Sequence, residues 1–247
     1  MEGLDILSVH KLKPLEYFGI KHHFFHINTD TVVYTWIVLG IILACVLPIR
    51  WLLLKKNSII YHVLTTYIRS FYGMTQQTLG EYFTFGHFAF ITAIFTFIAT
   101  ANAIGAVPWL EEPTKDLNTT LSLGLTSFLY TQFYAIKMHG FLAYIKEYFA
   151  PFFIMLPLNI IGKVATVISI SFRLFGNIFG GTMITGIYTS AIKGSLIFET
   201  LGMITGLNLV IILFFGLFEA FLQAFVFAML ALTYLSIGIK GEEPEED

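Results

Sequence analysis

Apolar residues run from Val32 to Leu54, from Phe88 to Leu110 and from Thr119 to Ile136, and then with few breaks from Phe149 to Ile239. A helix needs about 20 such residues to cross the hydrocarbon core of a bilayer. Several of these runs reach that length, and their order along the chain leaves little room for anything but membrane helices. Composition agrees: 56% of residues are hydrophobic and 12% charged, where soluble domains carry about 25% charged residues. The expectation is an all-α polytopic membrane protein in a lipid bilayer, with about five membrane helices and an amphipathic surface helix. The net charge of −2 gives no basis for a nucleic-acid partner.

Charges divide the chain. Residues 1–31 form a polar N-terminal arm, and residues 32–240 a single membrane domain. Its spans are expected at about 32–54, 88–110 and 119–136, followed by long helices at about 150–192 and 195–239. Residues 241–247 are an acidic tail. Residues 57–86 alternate apolar and polar groups and read as an amphipathic helix at the surface. Arg50, Lys55, Lys56 and Arg69 lie between the first two spans, and Lys137 and Lys146 follow the third, whereas the loop at 111–116 is mostly acidic. The positive-inside rule then puts the N-terminus outside and the C-terminus in the cytoplasm. His10, His22, His23 and His26 in the arm lack a second ligand group at helical spacing, so no metal site is expected there. Cys45 is the sole cysteine, which rules out an intrachain disulfide and reads as a packing or lipid-facing residue.

The last 90 or so residues set a geometric problem. No proline occurs from Leu158 to Glu243, and the one credible turn is at 192–195. Two helices of about 40 residues at 1.5 Å per residue would each be about 60 Å long, twice the hydrocarbon thickness. They are expected to form a strongly tilted hairpin, beyond what ordinary tilts absorb. Arg173 is the only charge between Lys163 and Lys193. Its guanidinium does not lose its proton, and holding it near a bilayer centre costs about 2.5–3.5 kcal/mol on insertion scales. Asn177 is one helical turn away and shares its face. Gly176, Gly180 and Gly181 add small residues that let another helix approach. On the second long helix Glu219, the only charge between Glu199 and Lys240, is spaced i, i+4 with Gln223. A fixed cation on one helix and a titratable acid on the other fit a proton route; they equally fit an Arg173–Glu219 ion pair that only joins the helices.

The run FRLFGNIFGG (Phe172–Gly181) followed by LQAFVFAMLALTYLS (Leu222–Ser236) resembles subunit a of the F-type ATP synthase. PTKDLNTTLS, FYAIKMHGFLAYIKE and LPLNIIGKVA extend the resemblance, in family order, over about residues 85–240. The resemblance implies a stator beside a ring of c subunits, with peripheral-stalk b subunits and the rest of the synthase as further partners. Two offset half-channels would carry protons to and from the ring carboxylates. Arg173 matches the arginine that separates them, Asn177 the asparagine of the same motif, and Gln223 the glutamine opposite the arginine. Asn102, Asp116 and Asn118 fall where polar residues line the outer access route. The chain would not be an enzyme on its own and would bind no cofactor; it has no GxxxxGK[ST] phosphate loop. A bacterial plasma membrane is the expected location.

Three departures from the family pattern matter. The exchanging Glu, His or Gly pair, nine residues after the arginine and seven before the glutamine, is Thr182 and Gly216 here. Glu219, one turn nearer Gln223, is a candidate replacement for the missing acid. The positions fourteen and ten before the arginine, often acidic or small and polar, are Asn159 and Lys163, which bear on the lining of the second half-channel. The rival readings are a secondary transporter, which would predict an internal repeat with interrupted helices that the sequence does not show, and a non-conducting membrane scaffold.

Overall fold

A computed structural model describes residues 11–12, 27–52, 58–107, 110–149, 152–192, 206 and 210–241. Two residues each of β1 (Lys11–Leu12) and β2 (Ile27–Asn28) pair antiparallel. All other long elements are helices: α1 (Thr29–Leu52), α2 (Ile59–Leu79), α3 (Phe85–Ala103), α4 (Leu117–His139), α5 (Phe141–Phe149), α6 (Leu156–Ile192) and α7 (Glu219–Lys240). The protein is an all-α polytopic membrane protein. The arm histidines, Lys55 and Lys56, the 193–195 part of the expected turn and the tail beyond Gly241 lie outside the described residues.

Among the described residues four helical stretches are long and apolar enough to cross a membrane: Thr29–Ile49, Phe85–Ala106, Phe153–Ile192 and Leu213–Lys240. These stretches are consistent with the expected all-α polytopic architecture, and α4 falls outside them. That helix has 23 residues, enough length to cross, but its Thr, Ser, Gln and Tyr side chains make it more polar than the other four. In the second of these stretches α3 ends at Ala103 and a 3₁₀ turn, Ile104–Ala106, follows it.

Local chemistry sets the helix ends. The Ser58 hydroxyl accepts from the Ile60 amide and starts α2, as an N-cap should. Gly80, at φ +57°, closes it in a backbone conformation that favours glycine. Asp116 caps α4 by accepting from the Asn118 amide at 3.0 Å. Pro157 sits in the first turn of α6, where its missing N–H costs nothing, and no later proline interrupts the helix. The 37 residues of α6 make it about 55 Å long at 1.5 Å per residue. The last helix is reached through a π-helical segment, Ile212–Phe218, which the sequence pattern does not announce.

The core sits where α3, α4 and α7 meet. Ala220, Ala224, Ala228 and Ala231 recur every three or four residues on α7 and are all buried, a small-residue seam that lets α3 pack closely. Leu79, Ile91, Ile98, Leu174, Phe227, Leu232 and Leu235 fill the same cluster. By contrast α1 buries only Val38 among its large apolar residues and exposes Trp36, Leu43 and Leu47, as suits a helix facing lipid.

Candidate functional site

A polar contact ties α6 to α7. Asn177 Nδ2 on α6 donates to Gln223 Oε1 on α7 at 2.5 Å. Gln223 is 1% exposed, and its Nε2 has no hydrogen-bond partner among the described residues. Arg173, one turn earlier on α6, is exposed. A side chain added at Gly176 or Gly180 would meet nothing within 4 Å. Arg173, Gly176, Asn177 and Gly180 therefore share an open flank of α6. Among the described residues the small-residue strip read from the sequence meets no other helix except at Gly181, which faces Glu219 and Phe215. Among the described residues the salt bridge present is Lys115–Glu111, at 3.9 Å. No salt bridge joins Arg173 to Glu219 among the described residues.

Two cavities flank this contact. The larger, about 670 Å³, lies between α4, α6 and α7, and its lining includes Thr131, Gln132, Asn159, Lys163, Thr166 and Tyr234. Asn159 Nδ2 donates to the Tyr148 carbonyl at 3.0 Å. The Lys163 ammonium lies 4.9 Å from the Tyr148 ring centroid and 5.4 Å from that of Tyr144. Tyr144 donates to Gln132 Oε1 and is linked to the Tyr148 hydroxyl. Lys163 is thus held by aromatic faces at the cavity wall rather than extended to an interface.

The second cavity, about 440 Å³, is bounded by the end of α3, the 110–115 loop, the C-terminal half of α6 and the π segment. Asn102, Asn177, Thr182, Gly216 and Glu219 all line it, together with Glu112. Five sequence candidates are thereby brought together. Gly216 has little spare room, since a Cβ there would come within 3.2 Å of the Ala106 Cβ. The π segment delivers Glu219 to this wall, and Glu219 Oε2 would lie 3.3 Å from a Cβ at Gly181. Asn102 is 1% exposed; its Oδ1 accepts from the Thr114 hydroxyl at 2.6 Å, and its Nδ2 is left unpartnered.

Neither cavity is lined by Arg173 or Gln223. On α6 the larger cavity ends at Ile170 and the smaller begins at Asn177, a gap of about 10 Å at 1.5 Å per residue. On α7 the gap runs from Ala220 to Ala231, about 16 Å by the same rise. Buried Leu174, Gln223, Ala224, Phe227 and Ala228 fill the wall between.

Asp116 and Asn118 line neither cavity. Asp116 Oδ2 accepts from the Thr31 hydroxyl at 3.1 Å and its Oδ1 caps α4, so this carboxylate joins α1 to the start of α4; Asn118 is exposed. Glu112 is the site residue that sequence reasoning missed. Its carboxylate lies over Gly105, where a Cβ would fall 1.8 Å from Oε1. Burial raises its pKa to about 7, opposed by Lys115 and reinforced by Glu111 and Glu219. The sequence signal was present only as two adjacent acids in a loop; nothing in it distinguished Glu112 from Glu111.

Comparison with known proteins fits these features. Residues 32–236 match the family described as ATP synthase A chain. ATP synthase subunit a of Moorella thermoacetica is 31% identical over 216 residues, covering 86% of this chain and 91% of its own. The subunit a of Desulfosudis oleivorans is 33% identical over 232 residues, covering 91% and 93%. That of Albidiferax ferrireducens is 28% identical over 244 residues, covering 96% and 97%. With the family match spanning nearly the whole membrane domain, the chain belongs to the ATP synthase A chain family and is a membrane-sector subunit of an ATP synthase.

Proposed function

We propose that this chain is the proton-conducting stator of a rotary ATP synthase, with the two cavities as its half-channels. The observation that carries this reading is their placement. They occupy opposite halves of the same two long helices and are separated by a packed wall at the level of Arg173 and Gln223. The open flank of Arg173, Gly176, Asn177 and Gly180 is the face for the c-ring, whose helices carry one carboxylate each. Peripheral-stalk b subunits and the remainder of the synthase complete the assembly, and the ATP chemistry takes place outside this chain. The bacterial plasma membrane is its location, with the N-terminus outside and the C-terminus in the cytoplasm.

The physics of the reading is simple. A ring carboxylate can enter lipid only when protonated, because the ionised form bears the desolvation cost. Beside the fixed charge of Arg173 the ionised form is favoured, so the proton leaves into one cavity before the site passes. Arginine keeps its own proton, and protons therefore travel round the ring instead of hopping from cavity to cavity. Glu219 supplies, in the smaller cavity, the acid that Thr182 and Gly216 do not provide. Asn102, Asn177 and Thr182 line the same path, and Asn159 lines the other.

Replacing Arg173 tests this. Arg173→Ala in the assembled synthase is expected to abolish ATP-driven proton pumping and ATP synthesis while assembly persists. Arg173→Lys is expected to fail as well, since a desolvated ammonium can deprotonate and lacks the planar fork. ATP synthesis at the parent rate in the Lys variant would show that Arg173 is not the separator.

A further inference from the structure

Glu112 departs from what a loop acid normally does. It sits in the segment joining α3 to α4, yet its side chain turns inward over Gly105 instead of pointing away from the protein. Gly105 permits this, because any side chain there would occupy the carboxylate's place. The result is a second carboxyl in the 440 Å³ cavity that holds Glu219. Buried Asn102 lines the same cavity with a donor, Nδ2, that no described residue satisfies. A buried unsatisfied N–H in a polar cavity of this size is a place for an ordered water.

Resting on the stator reading above, we propose that Glu112 is the entrance carboxyl of this cavity, taking protons from solution and passing them through water at Asn102 to Glu219. In each transfer the Glu112 carboxylate gains a proton from hydronium, leaving water. It then releases that proton along the water to the Glu219 carboxylate and returns to its ionised form. No other reactant is consumed. The titratable and charged groups around Glu112 are Glu111 and Lys115 of its own loop and Glu219 from α7. The α6 wall contributes only the uncharged Asn177, Thr182, Thr185 and Thr189. With its pKa raised by burial to about 7, Glu112 is ionised and ready to capture protons on the alkaline side of neutrality. On the acid side it is already loaded.

The sign of the test follows. Proton flux in the synthesis direction, measured in vesicles carrying the whole synthase, should depend on the pH of the N-terminal side with an inflection near 7. In Glu112→Gln that inflection should vanish. At alkaline pH the flux should fall about tenfold, less than the loss usual for an acid–base group because water still reaches Glu219. At acid pH, where protons are abundant, the loss should be small. Gly105→Ala keeps the carboxyl but displaces it, and should reproduce the alkaline loss; Glu112→Asp should retain the inflection at reduced flux. An Arg173→Ala arm run in parallel separates the two levels of interpretation. If Arg173→Ala abolishes coupling while the Glu112→Gln and Gly105→Ala profiles superimpose on the parent's, the entrance role is wrong and the stator reading stands. If Arg173→Ala leaves coupling intact, the stator reading itself falls. Equal loss at every pH in Glu112→Gln would make Glu112 a packing residue and also overturn the proposal.

Discussion

At Gln223 a fully buried amide spends one end on Asn177 and leaves the other without a described partner. A buried polar group of that kind carries a desolvation cost of about 1–3 kcal/mol when unpaired, which a pure packing residue would avoid. Glu219 stands one turn away in the smaller cavity, with no salt bridge to it among the described residues. Glu219→Gln keeps the shape but removes the titratable proton, and is expected to lower ATP-driven pumping at least about tenfold, as loss of a proton-transfer group does. Unchanged pumping across a wide pH range would reduce Glu219 to packing. An acid moved to Gly216 is not an equivalent rescue, because Ala106 already occupies that space. At this scale Arg173, Asn177, Glu219 and Gln223 were legible in the sequence as candidates, since rare polar residues in apolar helices stand out. Glu112 was not, because its role depends on the missing side chain of Gly105, a contact between loop and helix end that no spacing rule encodes. Asp116 shows another limit: its capping bond to the Asn118 amide is invisible until the start of α4 is located.

Elements show a different balance. The apolar runs foretold membrane-length helices, because periodicity and the absence of proline are properties of the sequence itself. Interruptions were harder. The π segment at Ile212–Phe218 contains no proline and no pair of breakers, and such bulges often occur at functional sites. Here it leads directly into Glu219. Helix contacts were also concealed: the glycine strip of α6 stays open, while the alanine seam of α7 does the close packing. α4 and α6 approach closely at Gly124, where a Cβ would lie 2.1 Å from Ser171 Oγ and 3.3 Å from the Val167 carbonyl oxygen. The serine can rotate away, but the backbone oxygen cannot. Gly124→Val is therefore expected to destabilise the subunit by about 1–3 kcal/mol, the usual range for overpacking. A lowered midpoint in thermal unfolding of the purified complex would register it, and an unchanged midpoint would mean that α4 and α6 are looser than this.

The whole molecule is a small packed core of α3, α4 and α7, with α1 set against lipid and α6 spanning the structure from one cavity to the other. Its defining property is that each cavity belongs to one half of the α6–α7 pair, with an apolar wall between. Sided chemical labelling tests that property most directly. After replacement of exposed Cys45, single cysteines are placed at Thr185 in the smaller cavity and at Thr166 in the larger. A membrane-impermeant thiol reagent is then applied to each face of sealed vesicles carrying the assembled synthase. Thr185→Cys is expected to react only from the face bearing the N-terminus, and Thr166→Cys only from the opposite face. Reaction of both cysteines from the same face would contradict two half-channels separated at Arg173.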